Sequence, residues 1–240
     1  MNSLVWSIEW RLALADRRAL ALRILLPLAV VVVLYTGGVP VGPASGVCVA
    51  LFIALAMLGT SLPLIQDERS GLAARVMRGG VSSSSYLLQR AAAGALMVLL
   101  SLVPSLAVAA IVAHASIVEA LIALAAMTAT LWIASLLGTL LGAVARSVSE
   151  MLLVSAVLLV LLLHVSGVFN TPQPDGLGSA LEGVAPFRVL HEAFLEMWTG
   201  GSVGGAFAAV AWAVLLPTVV GLLAGRVLGD VRGGGMASVG

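Results

Sequence analysis

Residues 66–90 read QDERSGLAARVMRGGVSSSSYLLQR. This stretch holds six charged residues (Asp67, Glu68, Arg69, Arg75, Arg78 and Arg90) in a chain whose charged fraction is 10%. On either side the charge disappears, with none between Arg23 and Asp67 and none between Arg90 and Glu119. An uncharged apolar run of about 18 or more residues reads as a membrane span. A charged side chain at the bilayer centre costs roughly 2.5–3.5 kcal/mol. Six of them force this segment into water and leave the flanking tracts to the lipid. The fold class follows: an all-α integral membrane protein.

The rest of the chain agrees. Of its 240 residues 61% are apolar, against about 45–50% in soluble domains. Six spans fit the hydropathy, over 20–37, 44–65, 91–114, 118–145, 151–168 and 204–228, and 1–240 reads as a single transmembrane domain. Prolines 27, 104 and 217 fall inside spans, where neighbouring helices satisfy the freed carbonyls. The first residues do not read as a secretory signal, because Glu9 and Asp16 interrupt the charged region and the tract from Ile24 is retained as a span. With the N-terminus inside, eleven of the twelve Arg residues fall on the cytoplasmic side and only Arg188 on the outer side. This arginine asymmetry predicts an inner (plasma) membrane protein with both termini cytoplasmic.

Several function classes are excluded or left without support. The chain has no Lys, so it lacks the lysine with which a phosphate-binding loop reaches a nucleotide's β- and γ-phosphates. The single cysteine, Cys48, excludes internal disulfides and thiolate metal clusters. His114, His164 and His191 show no metal-ligand spacing and pair with no nucleophile motif. His114, Glu119 and His164 sit at span ends and read as interface residues. No residue set predicts catalysis, metal binding or nucleic-acid binding by this chain.

Three segments outside the spans carry functional expectations. Residues 1–22 read as an N-terminal interfacial helix, with Leu4, Ile8, Leu12, Ala15 and Ala19 as its apolar stripe and Trp6 and Trp10 suited to the membrane surface. The charged segment 66–90 contains LAARVM, a helix-forming run bounded by SG and GG, with Arg75 and Arg78 on neighbouring faces. A turn that only reverses the chain needs far fewer residues, so this short helix reads as a docking element for another protein, with a solvated loop that only enforces topology as the alternative. In the outer segment 169–201, Phe187, Leu190, Phe194 and Trp198 share one face of an amphipathic helix. Arg146 and Glu150 bracket a second short cytoplasmic turn. Gly138 and Gly142 form a small-xxx-small pair, which lets helices approach closely, within one subunit or, as the alternative, between two.

With these residues in view, the chain resembles the type-2 ABC exporter permeases, which have the type V exporter fold. Glu68, Arg69, Gly71, Arg75 and the run Tyr86-Leu87-Leu88-x-Arg90 match the signature between the second and third spans of that family. Leu72, Ala74 and Gly80 depart from it, standing where Thr, an acidic residue and Pro are common. The resemblance extends to the chain's size, its six spans and its surface helix. It implies that 66–90 carries a coupling helix docking on an ATP-binding subunit through Asp67, Glu68, Arg69, Gly71, Arg75 and Arg78. It also implies that 169–201 forms an outer re-entrant or interfacial helix pair, with Phe187, Leu190, Phe194 and Trp198 as gate candidates. Two ATP-binding subunits holding ATP and Mg, and a second permease, identical or homologous, would complete the transporter. The cargo suited to such apolar spans is hydrophobic or amphipathic, such as a drug, an antibiotic or a lipid. A haem-related export permease of the same superfamily, an energy-independent carrier and a membrane-embedded enzyme stay open as alternatives.

Overall fold

The computed structural model describes residues 17–145, 147–169 and 186–199. Among these the chain forms seven helices and no strand: α1 (Arg17–Thr36), α2 (Val41–Arg69), α3 (Leu72–Arg78), α4 (Ser83–Val112), α5 (Ile117–Val144), α6 (Val148–Val165) and α7 (Pro186–Thr199). Four of them, α2, α4, α5 and α6, are long and apolar enough to cross a membrane, while the apolar part of α1, Leu20–Thr36, is shorter. The expected sixth span over 204–228 lies outside the described residues. So do the first 16 residues of the interfacial helix. From Arg17 onward that region is continuous with α1 rather than a separate element.

Helices α2 and α4 are longer than hydropathy alone indicates. They have 29 and 30 residues, or roughly 45 Å each at 1.5 Å per residue. The hydrocarbon core is about 30 Å thick. Each helix therefore continues well past the lipid, and the charged stretch 66–90 is mostly helical, the last turn of α2, then α3, then the first turns of α4. Ser82 starts α4, its hydroxyl accepting from Ser85 N at 3.3 Å. The opposite connection, between α4 and α5, is a tight turn. His114 takes a left-handed conformation (φ 52), and Ala115 N and His114 N return to Ala110 O and Ile111 O. Ser116 and Glu119 then cap α5 reciprocally, at 2.7 and 3.3 Å. His114 and Glu119 thus serve the turn itself.

The centre of the bundle is the pair α2 and α5, with α4 alongside both. Glycine sets their separation. A Cβ at Gly138 would collide with Met57 O and Thr60 Oγ1 and stand 2.8 Å from Met57 Cα. A Cβ at Gly142 would stand 2.9 Å from Ser61 O. The small-xxx-small pair therefore brings α5 onto the backbone of α2 inside one chain, as its spacing suggests. Thr60 Oγ1 lies 3.0–3.1 Å from Ala56 O, Met57 O and, across the contact, Ser135 O. With one proton it donates to one of these at a time. Around this seam Phe52, Ile53, Met57, Leu102, Met127 and Leu131 are fully buried.

Candidate functional site: the charged hairpin and the outer helix

The charged hairpin divides its residues into an inward and an outward set. Gly71 ends α2 and opens α3 in a left-handed conformation (φ 69), and Gly80 (φ 89) follows the other end. Side chains with a Cβ pay steric strain there. These glycines let a seven-residue helix lie across the ends of α2 and α4. Its inner face carries Ala73, Val76 and Met77, which pack with Leu64, Tyr86, Leu87 and Ala143 in a small apolar cluster of their own. Ser83 Oγ reaches Met77 Sδ at 3.1 Å.

Beneath this helix the ends of α2 and α4 are joined by charge. Arg90 Nη2 lies 2.9 Å from Asp67 Oδ2, and the Tyr86 hydroxyl donates to the same oxygen at 2.6 Å. The three residues are only 8% (Asp67), 5% (Arg90) and 4% (Tyr86) exposed. Asp67 therefore faces inward and ties α2 to α4. Gly71 shapes the turn, and Glu68 is half-buried. Arg69, Arg75 and Arg78 are exposed. Arg75 Nη2 donates to Ser70 O at 3.3 Å and Arg78 Nε to Ala74 O at 3.4 Å. These bonds hold both guanidinium groups close to the outward face of α3. In the turn between α5 and α6 Ser147 caps α6 through Glu150 N at 3.1 Å, which puts Glu150 in that helix's first turn; Arg146 is outside the described residues.

At the other end of α2 from the hairpin lies α7, beside Ser45 and Phe52. Its face of Phe187, Leu190 and Phe194 is fully buried against α5 and α2. Phe194 meets Phe52 edge to face, with ring centroids 6.0 Å apart. Trp198 stacks on Tyr35 of α1 at 4.3 Å. These four side chains are thus the seat of α7 on this chain's own core. The preceding part of the outer segment, 170–185, lies outside the described residues.

A polar contact completes the seat. His191 Nδ1 is 3.0 Å from Ser45 Oγ, which itself donates to Gly42 O at 2.8 Å. The arrangement fits a neutral imidazole donating from Nδ1. Burial holds His191 below the ordinary imidazole value of 6.5, with Glu192 opposing and Arg188 reinforcing the shift. Arg188 and Glu192 pair with each other one turn apart on the same helix. Because the folded-state value is depressed, this contribution to stability is complete above about pH 6.5 and is lost as the pH falls through the folded-state value. The thermal midpoint of the detergent-solubilised chain should fall on acidification from pH 7.5 towards pH 5. His191→Gln, which keeps a donor but cannot titrate, should remove most of that slope. An unchanged slope would show that His191 does not couple α7 to pH.

Sequence reasoning names Asp67 but not its partners' role. Opposite charges at the two exits of a helical hairpin, Asp67 and Arg90, are the signal that finds them. The Ser45–His191 and Tyr35–Trp198 contacts join residues too far apart in the chain for any local pattern to reveal.

Comparison with known proteins bears on the whole assembly of long spans, charged hairpin and α7. No curated protein and no solved structure matches the chain. A family model described as ABC-2 type transporter matches residues 3–196, which takes in every helix described above except the last three residues of α7. The chain belongs to the ABC-2 type transporter family, as a multi-pass membrane permease of an ABC transporter.

Proposed function

We propose that this permease belongs to an ATP-driven exporter and receives the motor's stroke through α3. The observation that carries this reading is the hairpin's division of labour. Asp67, Tyr86 and Arg90 fix the ends of α2 and α4 together, while Arg69, Arg75 and Arg78 stand exposed on the same hairpin. A docked subunit that pushes on α3 therefore pushes on two spans at once. Arg75 and Arg78 are the principal contacts, Arg69 and Glu68 flank them, and Gly71 and Asp67 keep the element in place. The ATP-binding partners, two copies holding ATP and Mg, dock from the cytoplasm of the inner membrane. Both termini of the permease lie on that side. A second permease, identical or homologous, completes the path.

The proposed cargo is hydrophobic or amphipathic, such as a drug, an antibiotic or a lipid. The apolar character of the spans supports it, with threonine and serine the main polar side chains buried in α2, α4 and α5. In this scheme α7 is an outer cap that moves as a unit. Phe187, Leu190, Phe194 and Trp198 form the seat it leaves and regains.

The test is co-purification from native membranes in mild detergent. An ATPase bearing a phosphate-binding loop should accompany the tagged chain in stoichiometric amount. Arg75→Glu with Arg78→Glu should lower its recovery at least about tenfold, since charge reversal adds repulsion to the loss of each contact, while insertion stays normal. Wild-type recovery and transport in that variant would overturn the docking assignment. A chain that purifies alone and still moves substrate would make it an energy-independent carrier.

A further inference from the structure

A groove of about 300 Å³ lies between α1, α2 and α4, away from both the hairpin's outward face and the α7 seat. Its two ends differ in chemistry. At one end stand Arg23 of α1 and Gln66 of α2, and along it run Leu55, Leu58, Leu62 and Val98. No acidic side chain lines it among the described residues. From Gln66 to Leu55 is eleven residues along one helix, about 16 Å at 1.5 Å per residue. That matches the depth of one leaflet's hydrocarbon, half of a core about 30 Å thick. The polar end sits one turn from the charged end of α2, at headgroup level, and the apolar end reaches the middle of the bilayer.

We propose that this groove binds one anionic phospholipid of the cytoplasmic leaflet. The phosphate is held by the Arg23 guanidinium and the Gln66 side-chain amide, and one acyl chain lies along Leu62, Leu58 and Leu55. Three observations select this occupant over others. Among the described residues the polar end offers a cation and an amide but no carboxylate, so it favours a negative headgroup. A free phosphate would leave the apolar length unused. A peptide helix is about 10–12 Å across with its side chains, too bulky for a groove of about 300 Å³. Arginine suits the position, because its aliphatic stem lies on apolar surface while its head stays at the interface, and basic pockets between spans on the cytoplasmic side favour anionic headgroups. The site does not depend on which cargo is transported or on whether α3 docks a motor.

The experiment reconstitutes the full chain in lipid discs of phosphatidylcholine. A minor fraction of phosphatidylglycerol carries a photoreactive group on one acyl chain, and the crosslinked peptides are mapped. Both leaflets contain the probe, so the result does not depend on the orientation of the chain. Crosslinks are expected at Leu55, Leu58, Leu62 or Val98. Replacing the probe by its phosphatidylcholine counterpart should lower their yield about fivefold, the scale of one interfacial cation acting on an anionic lipid. Arg23→Gln should lower the phosphatidylglycerol yield by a similar factor, and Arg23→Lys should restore most of it. Arg18→Gln, on the same helix but outside the groove, should leave the yield unchanged. An equal loss in Arg18→Gln and Arg23→Gln would reduce the effect to general surface charge and overturn the site. Absence of crosslinks in the groove, whether because another segment, a second copy or nothing fills it, would overturn it as well.

Discussion

Gly138→Leu should prevent the chain from accumulating in a folded, monodisperse form. The reason lies in what faces the glycine. A Cβ there would meet Met57 O and Thr60 Oγ1, and Met57 Cα at 2.8 Å. Two of these three atoms are backbone, which has no rotamer to escape into. Overpacking a core ordinarily costs about 1–3 kcal/mol when side chains can give way. Here α5 must separate from α2 along the central seam of the bundle, and the bond from Thr60 to Ser135 O is lost with it. Gly138→Ala, the smallest probe, should already lower the thermal midpoint in detergent by at least about 4 °C. Ala125→Leu, at an exposed position on the same helix, should leave it within error. The readout also separates two roles for the small-xxx-small pair. A contact between permease copies would alter assembly and spare the melting of the single chain. Parental melting of Gly138→Leu would mean that α2 and α5 do not meet backbone to backbone.

Much of this architecture is legible in the sequence because hydropathy reports which residues can face lipid. The long uncharged tracts mark α2, α4, α5 and α6, and the SG and GG pairs bracket α3. What hydropathy cannot report is helicity outside the lipid. The polar run SSSSYLLQR looks like a connection, yet all but its first serine is the beginning of α4, because helices form wherever backbone hydrogen bonds and a cap are available, in water as in lipid. The spacing of Phe187, Leu190, Phe194 and Trp198 reveals a face but not what it covers. The structure supplies the partners, Phe52 and Tyr35 among them. The charged hairpin shows the same limit most clearly. A charged residue in a charged segment reads as solvent-facing, and for Arg75 and Arg78 that is where they lie. Asp67 is drawn inward by two donors, Tyr86 and Arg90, that sit 19 and 23 positions away.

That inward turn makes Asp67 the residue whose loss should separate folding from coupling. Removing one member of a buried ion pair typically costs about 3–5 kcal/mol, because the remaining charge keeps its desolvation penalty without its counter-charge. Asp67→Ala also takes away the acceptor of the Tyr86 hydroxyl, so its cost should fall in that range, seen as a marked loss of thermal stability and of folded yield. Asp67→Asn, which still accepts from Tyr86 but carries no charge, should cost less. The pair need not be a net source of stability, though. Replacing both members by apolar residues of similar size is often neutral or better, so Asp67→Leu with Arg90→Met should recover the part of the stability lost in Asp67→Ala that comes from the unpaired Arg90 charge. If the ion pair and the tyrosine fix the angle at which α3 is carried, the double variant should fold and insert but fail to couple. Transport per ATP hydrolysed would then fall by about tenfold or more while the ATPase subunit still co-purifies. A double variant that is both stable and fully coupled would mean that the apolar cluster of Leu64, Ala73, Val76 and Met77 positions α3 by itself. A double variant as unstable as Asp67→Ala would place the residues' importance in folding alone. The combination of restored stability with lost coupling is the result that the geometry of the hairpin predicts, since a hydrophobic contact holds two helices together without fixing the direction in which they point.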